Sequence, residues 1–159
     1  MAQSGPDLAL LLLGGFRALA DGTREELEAR GYEDIRPVHD FALRSIVAGA
    51  DSASELGRRM SVSKQAAAKT IAVLEERGYV VREDDPDDAR RKRVRPTDRG
   101  RAVLREGEAI MDGLRAEWER TIGAEALAGL EASLTALVGA APLRLGTPGW
   151  MDRRPAGRG

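Results

Sequence analysis

Apolar and small residues near the start of the chain recur every three to four positions, which is the spacing of one face of an α-helix. They are Leu8, Leu12, Gly15, Phe16, Leu19, Thr23 and Leu27. Gly31 follows shortly after the last of them, where a glycine commonly ends a helix. The pattern predicts a long first helix that ends near Gly31.

Two shorter helical patterns come next. Pro37 suits the first turn of a second helix, because an N–H at that position has no partner inside the helix. This second pattern ends near Gly49. The stretch SASE, residues 52–55, matches a capping box, in which the Ser hydroxyl and the Glu carboxylate each bind the other residue's backbone N–H. It predicts a third helix that runs to about Met60.

A fourth helix and a hairpin are predicted after a short turn. Ser63 is a suitable N-cap for the helix, and Gly78 is a suitable stop. The apolar stripe of this helix consists of Ala67, Thr70, Ile71 and Leu74. The runs YVVRED and RKRVR that follow are typical of strands. Between them, residues 85–88 (DPDD) place Pro at the second position of a type I turn, with an Asp before it that can bind the backbone.

Two further helices are predicted after the hairpin. Thr97 can cap the fifth, and Asp98 in its first turn complements the positive end of the helix dipole. The sixth begins after Gly123, and Pro142 is its expected stop. Their apolar repeats are Val103, Gly107, Ile110, Leu114, Trp118 and Ile122, and then Leu127, Leu130, Leu134, Leu137 and Val138. Residues 142–159 are too rich in Pro and Gly for a core element, so we expect a flexible tail.

This order of elements indicates an architecture. A helix, a short turn, a second helix and a two-stranded hairpin are the parts of a winged helix-turn-helix, whose second helix enters the DNA major groove. The expected fold class is therefore mainly α: a winged helix-turn-helix domain with a two-stranded β wing, flanked by N- and C-terminal helices that we expect to dimerise. Apolar stripes on the first, fifth and sixth helices are too long for a small winged domain to cover, which favours a two-fold homodimer.

Composition narrows the partners. The 159 residues carry 25 basic and 26 acidic side chains, so DNA binding must come from local patterning and not from a global field. The absence of cysteine excludes a disulfide scaffold and a thiolate zinc site. The apolar run Leu8 to Leu13 is too short to span a bilayer and has no Lys or Arg before it, as a signal peptide requires. We therefore expect a cytoplasmic protein that makes no contact with a membrane.

The central third of the chain carries a more specific signal. It contains LEERGYVVRE after the second helix of the pair, then Asp88-Ala89-Arg90, and six residues later Pro96-Thr97 followed by Gly100. This arrangement is similar to D-x-R, five residues, L-T-x-x-G, the wing signature of the MarR family of bacterial transcription regulators. The resemblance covers roughly residues 7–141. It implies an N-terminal dimerisation helix and linker over 7–36, a winged DNA-binding region over 37–100 and C-terminal dimerisation helices over 101–141.

The chain departs from the family pattern at two positions. Pro96 stands where the family usually has Leu, and a proline is tolerated at the end of an edge strand because no ladder hydrogen bond needs its N–H. Ser61 occupies a turn position where Gly is common. Either the turn adopts a different geometry there, or Ser accepts some backbone strain.

The fourth helix carries candidate DNA contacts at the N-terminal end of its outward face: Ser63, Lys64, Gln65, Ala68 and Lys69. Lys can donate to guanine, Gln can pair with adenine, and the Ala methyl can contact that of thymine. The alternative is a helix face that is only solvated.

The wing supplies the second set of candidates. Arg90, Arg91 and Arg93 are expected near phosphates or in the minor groove, where the negative potential favours a guanidinium. The family resemblance implies that Arg90 contacts DNA at the wing tip and that Asp88 orients it. Alternation along a strand places Arg91 and Arg93 on one face and Val94, the expected inward anchor, on the other.

Other chemistry is weaker. The acidic run from Glu83 to Asp88 lacks the Gly and the distal Glu of a calcium loop, so we predict no metal site and no cofactor. His39, the single histidine, has no Ser, Cys or carboxylate around it in a catalytic order, so we predict no enzyme activity. In the resembled family, small anionic or aromatic effectors bind between the dimer helices and the winged domain. Phe16, His39, Phe41 and Trp118 are the candidate contacts for such an effector.

The favoured hypothesis is a homodimeric DNA-binding regulator, a repressor of palindromic operators that a small molecule releases from double-stranded DNA. The alternative is a winged-helix module whose basic wing and fourth helix contact another protein instead of DNA. The two hypotheses differ in whether operator-like inverted repeats lie upstream of the gene.

Overall fold

Six helices and two strands occupy residues 4–139, the part of the chain that the computed structural model describes. In chain order they are α1 (Gly5–Ala29), α2 (Pro37–Val47), α3 (Ala53–Met60), α4 (Lys64–Glu76), β1 (Val80–Asp85), β2 (Asp88–Pro96), α5 (Asp98–Ile122) and α6 (Ala124–Val138). The mainly helical fold with a two-stranded wing, predicted from the sequence, is confirmed. The predicted tail, residues 142–159, lies outside the described residues.

The described chain forms two units. Residues 37–104, here called the winged unit, hold α2, α3, α4, the hairpin and the start of α5. Residues 4–36 and 105–139, here called the helical unit, hold α1, the rest of α5, and α6.

Side-chain caps fix where the helices begin. The Ser63 hydroxyl accepts a hydrogen bond from the Ala66 N–H at 3.0 Å and caps α4 as predicted. The predicted capping box of α3 is only half formed. The Ser52 hydroxyl accepts from the Glu55 N–H at 3.2 Å, but the Glu55 carboxylate binds Arg58 and Arg59 instead of returning to Ser52. A guanidinium one turn away is a stronger partner for a carboxylate than a neutral amide.

The turn between α3 and α4 resolves the question of Ser61. Its φ of 56° and ψ of 39° place it in the left-handed region, where it is the one non-glycine residue with positive φ among residues 4–139. Ser therefore accepts the strain, which costs about 1 to 3 kcal/mol for a residue with a Cβ. The result is a tight connection: the Val62 N–H donates to the Gly57 carbonyl at 2.9 Å.

The wing is an antiparallel hairpin in which Val80 pairs with Pro96 and Asp84 with Lys92. Its register shifts between Asp84 and Asp85, because Asp85 pairs with Asp88 and β2 has additional residues between these two pairs. The Asp85 carboxylate accepts from the Asp87 N–H at 2.9 Å, as expected for an Asp before a Pro-containing turn. Pro96 is the last residue of β2, where the missing N–H is tolerated.

Thr97 and Gly100 lock the start of α5 to the end of α4. The Thr97 hydroxyl donates to the Gly78 carbonyl at 2.6 Å and accepts from the Gly100 N–H at 3.0 Å, so Thr97 is the predicted cap. A Cβ at position 100 would lie 2.1 Å from the Tyr79 carbonyl oxygen, a distance that no side chain can occupy. The T-x-x-G spacing therefore has a steric cause in this chain.

The core of the winged unit lies beneath these elements. Leu43, Leu56, Leu74 and Tyr79 are fully buried. Val94 of β2 is buried as well, which confirms it as the inward anchor of the wing.

The helical unit is held by the contact of α1 with α5 and by an ion pair to α6. Trp118 approaches Gly15, Leu114 approaches Gly22 and Leu27 approaches Gly107, so the two helices run in opposite directions. Arg115 binds the Glu131 carboxylate with two nitrogens, at 2.6 and 3.0 Å. The predicted stop of α6 was wrong: the helix ends at Val138, and Gly139 follows with a φ of +80°.

Among residues 4–139, no single helix is both long and apolar enough to cross a bilayer. The pair α5 and α6, bent by 117°, meets the length and composition criteria only when the two are joined.

Candidate nucleic-acid interface

The outward face of α4 is polar and carries positive charge. Lys64, Gln65 and Lys69 are exposed and Ala68 is partly exposed, whereas Ala67, Ile71 and Leu74 on the other side are buried. Neither lysine has a carboxylate within ion-pair distance in the described part of the chain. The Ser63 hydroxyl accepts from Ala66 and keeps its own proton as a donor. The beginning of α4 therefore presents donors and cations around the positive end of a helix dipole, which attracts anions.

The wing carries acids and bases that largely neutralise each other. Lys92 binds Asp84 at 2.5 Å, Arg95 lies 3.5 Å from Glu83, and Arg93 reaches both Asp85 and Asp87. This pairing explains the acidic run from Glu83 to Asp88, since all but one of its carboxylates bind a cation of the facing strand. In residues 4–139, no group of three His, Cys, Asp or Glu side chains is arranged to hold a metal ion.

Arg90 differs from the other wing cations. Its guanidinium is exposed, and no described carboxylate lies within ion-pair distance of it. The remaining carboxylate of the acidic run, that of Asp88, accepts a hydrogen bond from the Arg90 backbone N–H at 3.0 Å. Asp88 therefore fixes the backbone at Arg90 and leaves the side chain available.

Arg91 and Arg93 are held inside the winged unit. Arg91 donates to Asp51 at 2.8 Å, and Nε of Arg93 lies 2.8 Å from Asp85. Hydrogen bonding by the Asp87 N–H and then the Arg93 guanidinium hold the pKa of Asp85 below its usual value. Asp85 in turn raises the pKa of Arg93. The two arginines therefore have strong partners in the protein.

Asp51 is the residue of this site that sequence reasoning missed. It lies between α2 and α3, and Arg91 is 40 positions further along the chain. Its place directly before the N-cap Ser52 gives it the appearance of an ordinary helix-start acid. No local spacing indicates that its partners are on the wing.

The four candidate effector contacts are divided between the two units. In the helical unit, Phe16 is exposed on α1 and Trp118 packs on Gly15. In the winged unit, Phe41 is partly buried, and His39 is buried with its Nδ1 3.4 Å from Nη1 of Arg77.

The two units carry opposite charge. Residues 37–104 hold 14 basic and 11 acidic side chains, a net charge of +3. The helical unit holds 7 basic and 14 acidic side chains, a net charge of −7. A chain that is almost neutral overall therefore concentrates its positive charge in the unit that contains α4 and the wing.

Comparison with known proteins gives a consistent classification. Residues 41–91 match the model of the MarR family. A mutant of MarR from E. coli is 25% identical with a TM-score of 0.62, over 82% of this chain and 96% of that one. A mutant of MepR from S. aureus, bound to an oligodeoxyribonucleotide, is 17% identical with a TM-score of 0.60, over 82% and 95%. CouR from Rhodococcus jostii RHA1, bound to p-coumaroyl-CoA, is 21% identical with a TM-score of 0.59, over 89% and 99%.

The winged helix-turn-helix described above is thus one that a known class of regulators shares. The resemblance found in the wing motif is confirmed: the chain has the winged helix-turn-helix of the MarR family and the fold of its transcription regulators.

Proposed function

We propose that the chain is a sequence-specific DNA-binding transcription regulator, a homodimeric repressor of palindromic operators that a small molecule releases. The observation that carries the proposal is the pairing state of the winged unit's cations. Most wing cations are neutralised by carboxylates, whereas Lys64, Lys69 and Arg90 are exposed without an acidic partner among the described residues. Exposed and unpaired cations are suited to a polyanion, because binding it requires no internal ion pair to be broken.

In this proposal α4 lies in the major groove. Gln65 and Lys69 are offered to base edges, since an amide can pair with adenine and an ammonium with guanine. Ala68 can contact a thymine methyl, and Ser63 and Lys64 bind flanking phosphates at the start of the helix.

The wing tip lies against the adjacent minor groove or its phosphates. Arg90 supplies the contact there, and Asp88 holds its backbone in place. A guanidinium in a narrow minor groove gains from the enhanced negative potential.

Homodimerisation is proposed from the apolar surface of the helical unit. Of the twelve large apolar side chains that are exposed in the described chain, ten belong to this unit. Monomeric proteins rarely expose so many leucines on so few helices. Two copies related by a two-fold axis can cover them, and a two-fold dimer reads a palindromic site.

The effector is proposed to be a small aromatic or anionic molecule. The ligand of CouR, p-coumaroyl-CoA, belongs to both classes and supports the proposal by analogy only. Phe16, His39, Phe41 and Trp118 remain the candidate contacts. A regulator of this kind acts where the DNA is, in the cytoplasm.

A gel-shift experiment tests the function. Labelled duplexes that tile the region upstream of the gene are titrated with the protein, with an unlabelled random-sequence duplex as competitor. We expect one duplex to bind at least about 1,000-fold more tightly than the competitor, as specific sites do. Equal, weak binding to every duplex would contradict the proposal and favour the protein-interaction alternative.

A further inference from the structure

The base of the wing is fastened to the segment between α2 and α3. The Val94 backbone N–H donates to the Asp51 carbonyl at 2.8 Å, so β2 has a hydrogen-bond partner on the side away from β1. The Asp51 carboxylate then binds Arg91 at 2.8 Å and lies 3.5 Å from Nε of Arg93. One residue therefore holds β2 by both its backbone and its side chain.

A buried carboxylate completes this arrangement from β1. The Asp85 side chain is only 2% exposed, and it lies 2.8 Å from Nε of Arg93 and 3.9 Å from Nη1 of Arg91. A buried carboxylate requires partners, since leaving it unpaired is strongly unfavourable. Removing Arg91 or Arg93 to bind DNA would break these contacts. We call Asp51, Asp85, Arg91 and Arg93 the wing anchor.

The wing anchor divides the wing arginines by role. Arg91 and Arg93 have carboxylate partners within the winged unit, whereas Arg90, next to them in sequence, has none in the described chain. Charge alone does not distinguish the three residues, but their partners do.

We propose that Asp51 is a positioning residue for DNA binding. It fixes the wing relative to α3 and α4, so that Arg90 meets the DNA while α4 occupies the groove, and Arg91 and Arg93 serve this anchor instead of binding phosphates. This inference rests on the proposed function. A wing released from Asp51 samples orientations that do not fit the DNA, and apparent affinity falls with the fraction of competent conformers.

The test uses the sign of a charge effect. Asp51→Asn removes a negative charge from a DNA-binding unit, and electrostatics alone would make binding tighter. Loss of the anchor makes it weaker, and we expect a loss of about three- to tenfold on the duplex that the wild-type protein binds most tightly. Asp84→Asn is the matched control, because it removes the same charge from an exposed wing position outside the anchor. We expect its affinity to be unchanged or higher.

A second variant covers the case in which Asp51→Asn fails to fold. Arg91→Ala removes a half-exposed side chain and should also weaken binding. The plot of log affinity against log salt concentration should keep its slope, since no phosphate contact is lost. Arg90→Ala in the same series should reduce the magnitude of that slope by about 0.9. Amide exchange at Val94 in the free protein should become faster in Asp51→Asn.

The outcomes separate the two claims. If the wild-type protein binds none of the duplexes, the proposed function and this role both fail. If it binds a specific duplex but Asp51→Asn binds that duplex as tightly or more tightly, only the positioning role is overturned. A slope reduced by about 0.9 in Arg91→Ala would show a phosphate contact and would also overturn it.

Discussion

The winged unit and the helical unit of this chain leave opposite kinds of surface exposed. The winged unit has a net charge of +3 and exposes only Val47 and Val81 among its large apolar side chains. The helical unit has a net charge of −7 and exposes ten such side chains. A charged surface around a finished core suits a polyanion, whereas uncovered leucines favour burial against another apolar surface. The difference indicates that recognition and association reside in different parts of one chain.

The largest expected effect separates the two units along a single helix. Gly100→Ala forces a Cβ to within 2.1 Å of the Tyr79 carbonyl oxygen in the winged unit. We expect the free energy of unfolding to fall by about 4 kcal/mol or more, as for other severe steric changes. Urea denaturation followed by circular dichroism measures the loss.

Gly113→Ala is the matched control on the same helix, in the helical unit. Nothing lies within 4 Å of the added Cβ, so the variant should gain about 0.5 to 1 kcal/mol from helix propensity. Equal stability of the two variants would show that the close approach at Gly100 does not constrain the winged unit.

The second effect tests association. Leu10 and Leu137, which are 66% and 81% exposed, are changed together to Glu in the helical unit. If a dimer buries them, the unpaired carboxylates should weaken association by about 3 kcal/mol or more. Sedimentation equilibrium at micromolar concentration should show a wild-type dimer and a monomeric variant. Val47→Glu in the winged unit should remain dimeric, and a monomeric wild-type protein would contradict the assignment.

The third effect concerns sequence readout by α4. Gln65→Ala should cost about 1 to 3 kcal/mol on the best duplex if the amide reads a base. Binding to a random duplex should change much less. Glu76→Ala, at the far end of α4, should leave the preference between the two duplexes unchanged. Fluorescence anisotropy gives both affinities, and equal losses on the two duplexes for Gln65→Ala would show a phosphate contact only.

The smallest effect is a dependence of stability on pH. Because the folded winged unit lowers the pKa of Asp85, ionised Asp85 stabilises the fold above the usual Asp pKa of 3.8, and this contribution is lost as pH falls through the lower folded value. The difference in Tm between wild type and Asp85→Asn should therefore be largest at neutral pH and shrink toward pH 2. Asp84→Asn controls for the lost charge. A difference that stays constant with pH would show that Asp85 contributes only through its shape.

Much of the fold could be predicted because its signals are local. Ser63 and Thr97 cap the helices expected of them, and the Pro86 turn lies between the two predicted strands. Each of these depends on residues within a few positions of one another. The stop of α6 was misplaced because Gly139 ends the helix before Pro142 is reached.

The site could be predicted only in part, because its decisive contacts are not local. Five wing cations look alike in the sequence, and only the structure shows which of them have carboxylate partners. The bond between Asp51 and Arg91 joins positions 40 residues apart, and the register shift at Asp85 determines which face each arginine meets. The exposed lysines of α4 were visible because a helix face follows directly from spacing.

The salt dependence of DNA binding in Arg90→Ala tests the central claim that the wing meets DNA through one unpaired guanidinium. Lys92→Ala is the control, since it removes a wing cation that Asp84 already neutralises. We expect Arg90→Ala to lose tight binding to the best duplex, to keep its dimer and its Tm, and to reduce the magnitude of the slope of log affinity against log salt by about 0.9. Lys92→Ala should retain the wild-type slope. Wild-type affinity and an unchanged slope in Arg90→Ala would contradict the account and make the wing a solvated loop.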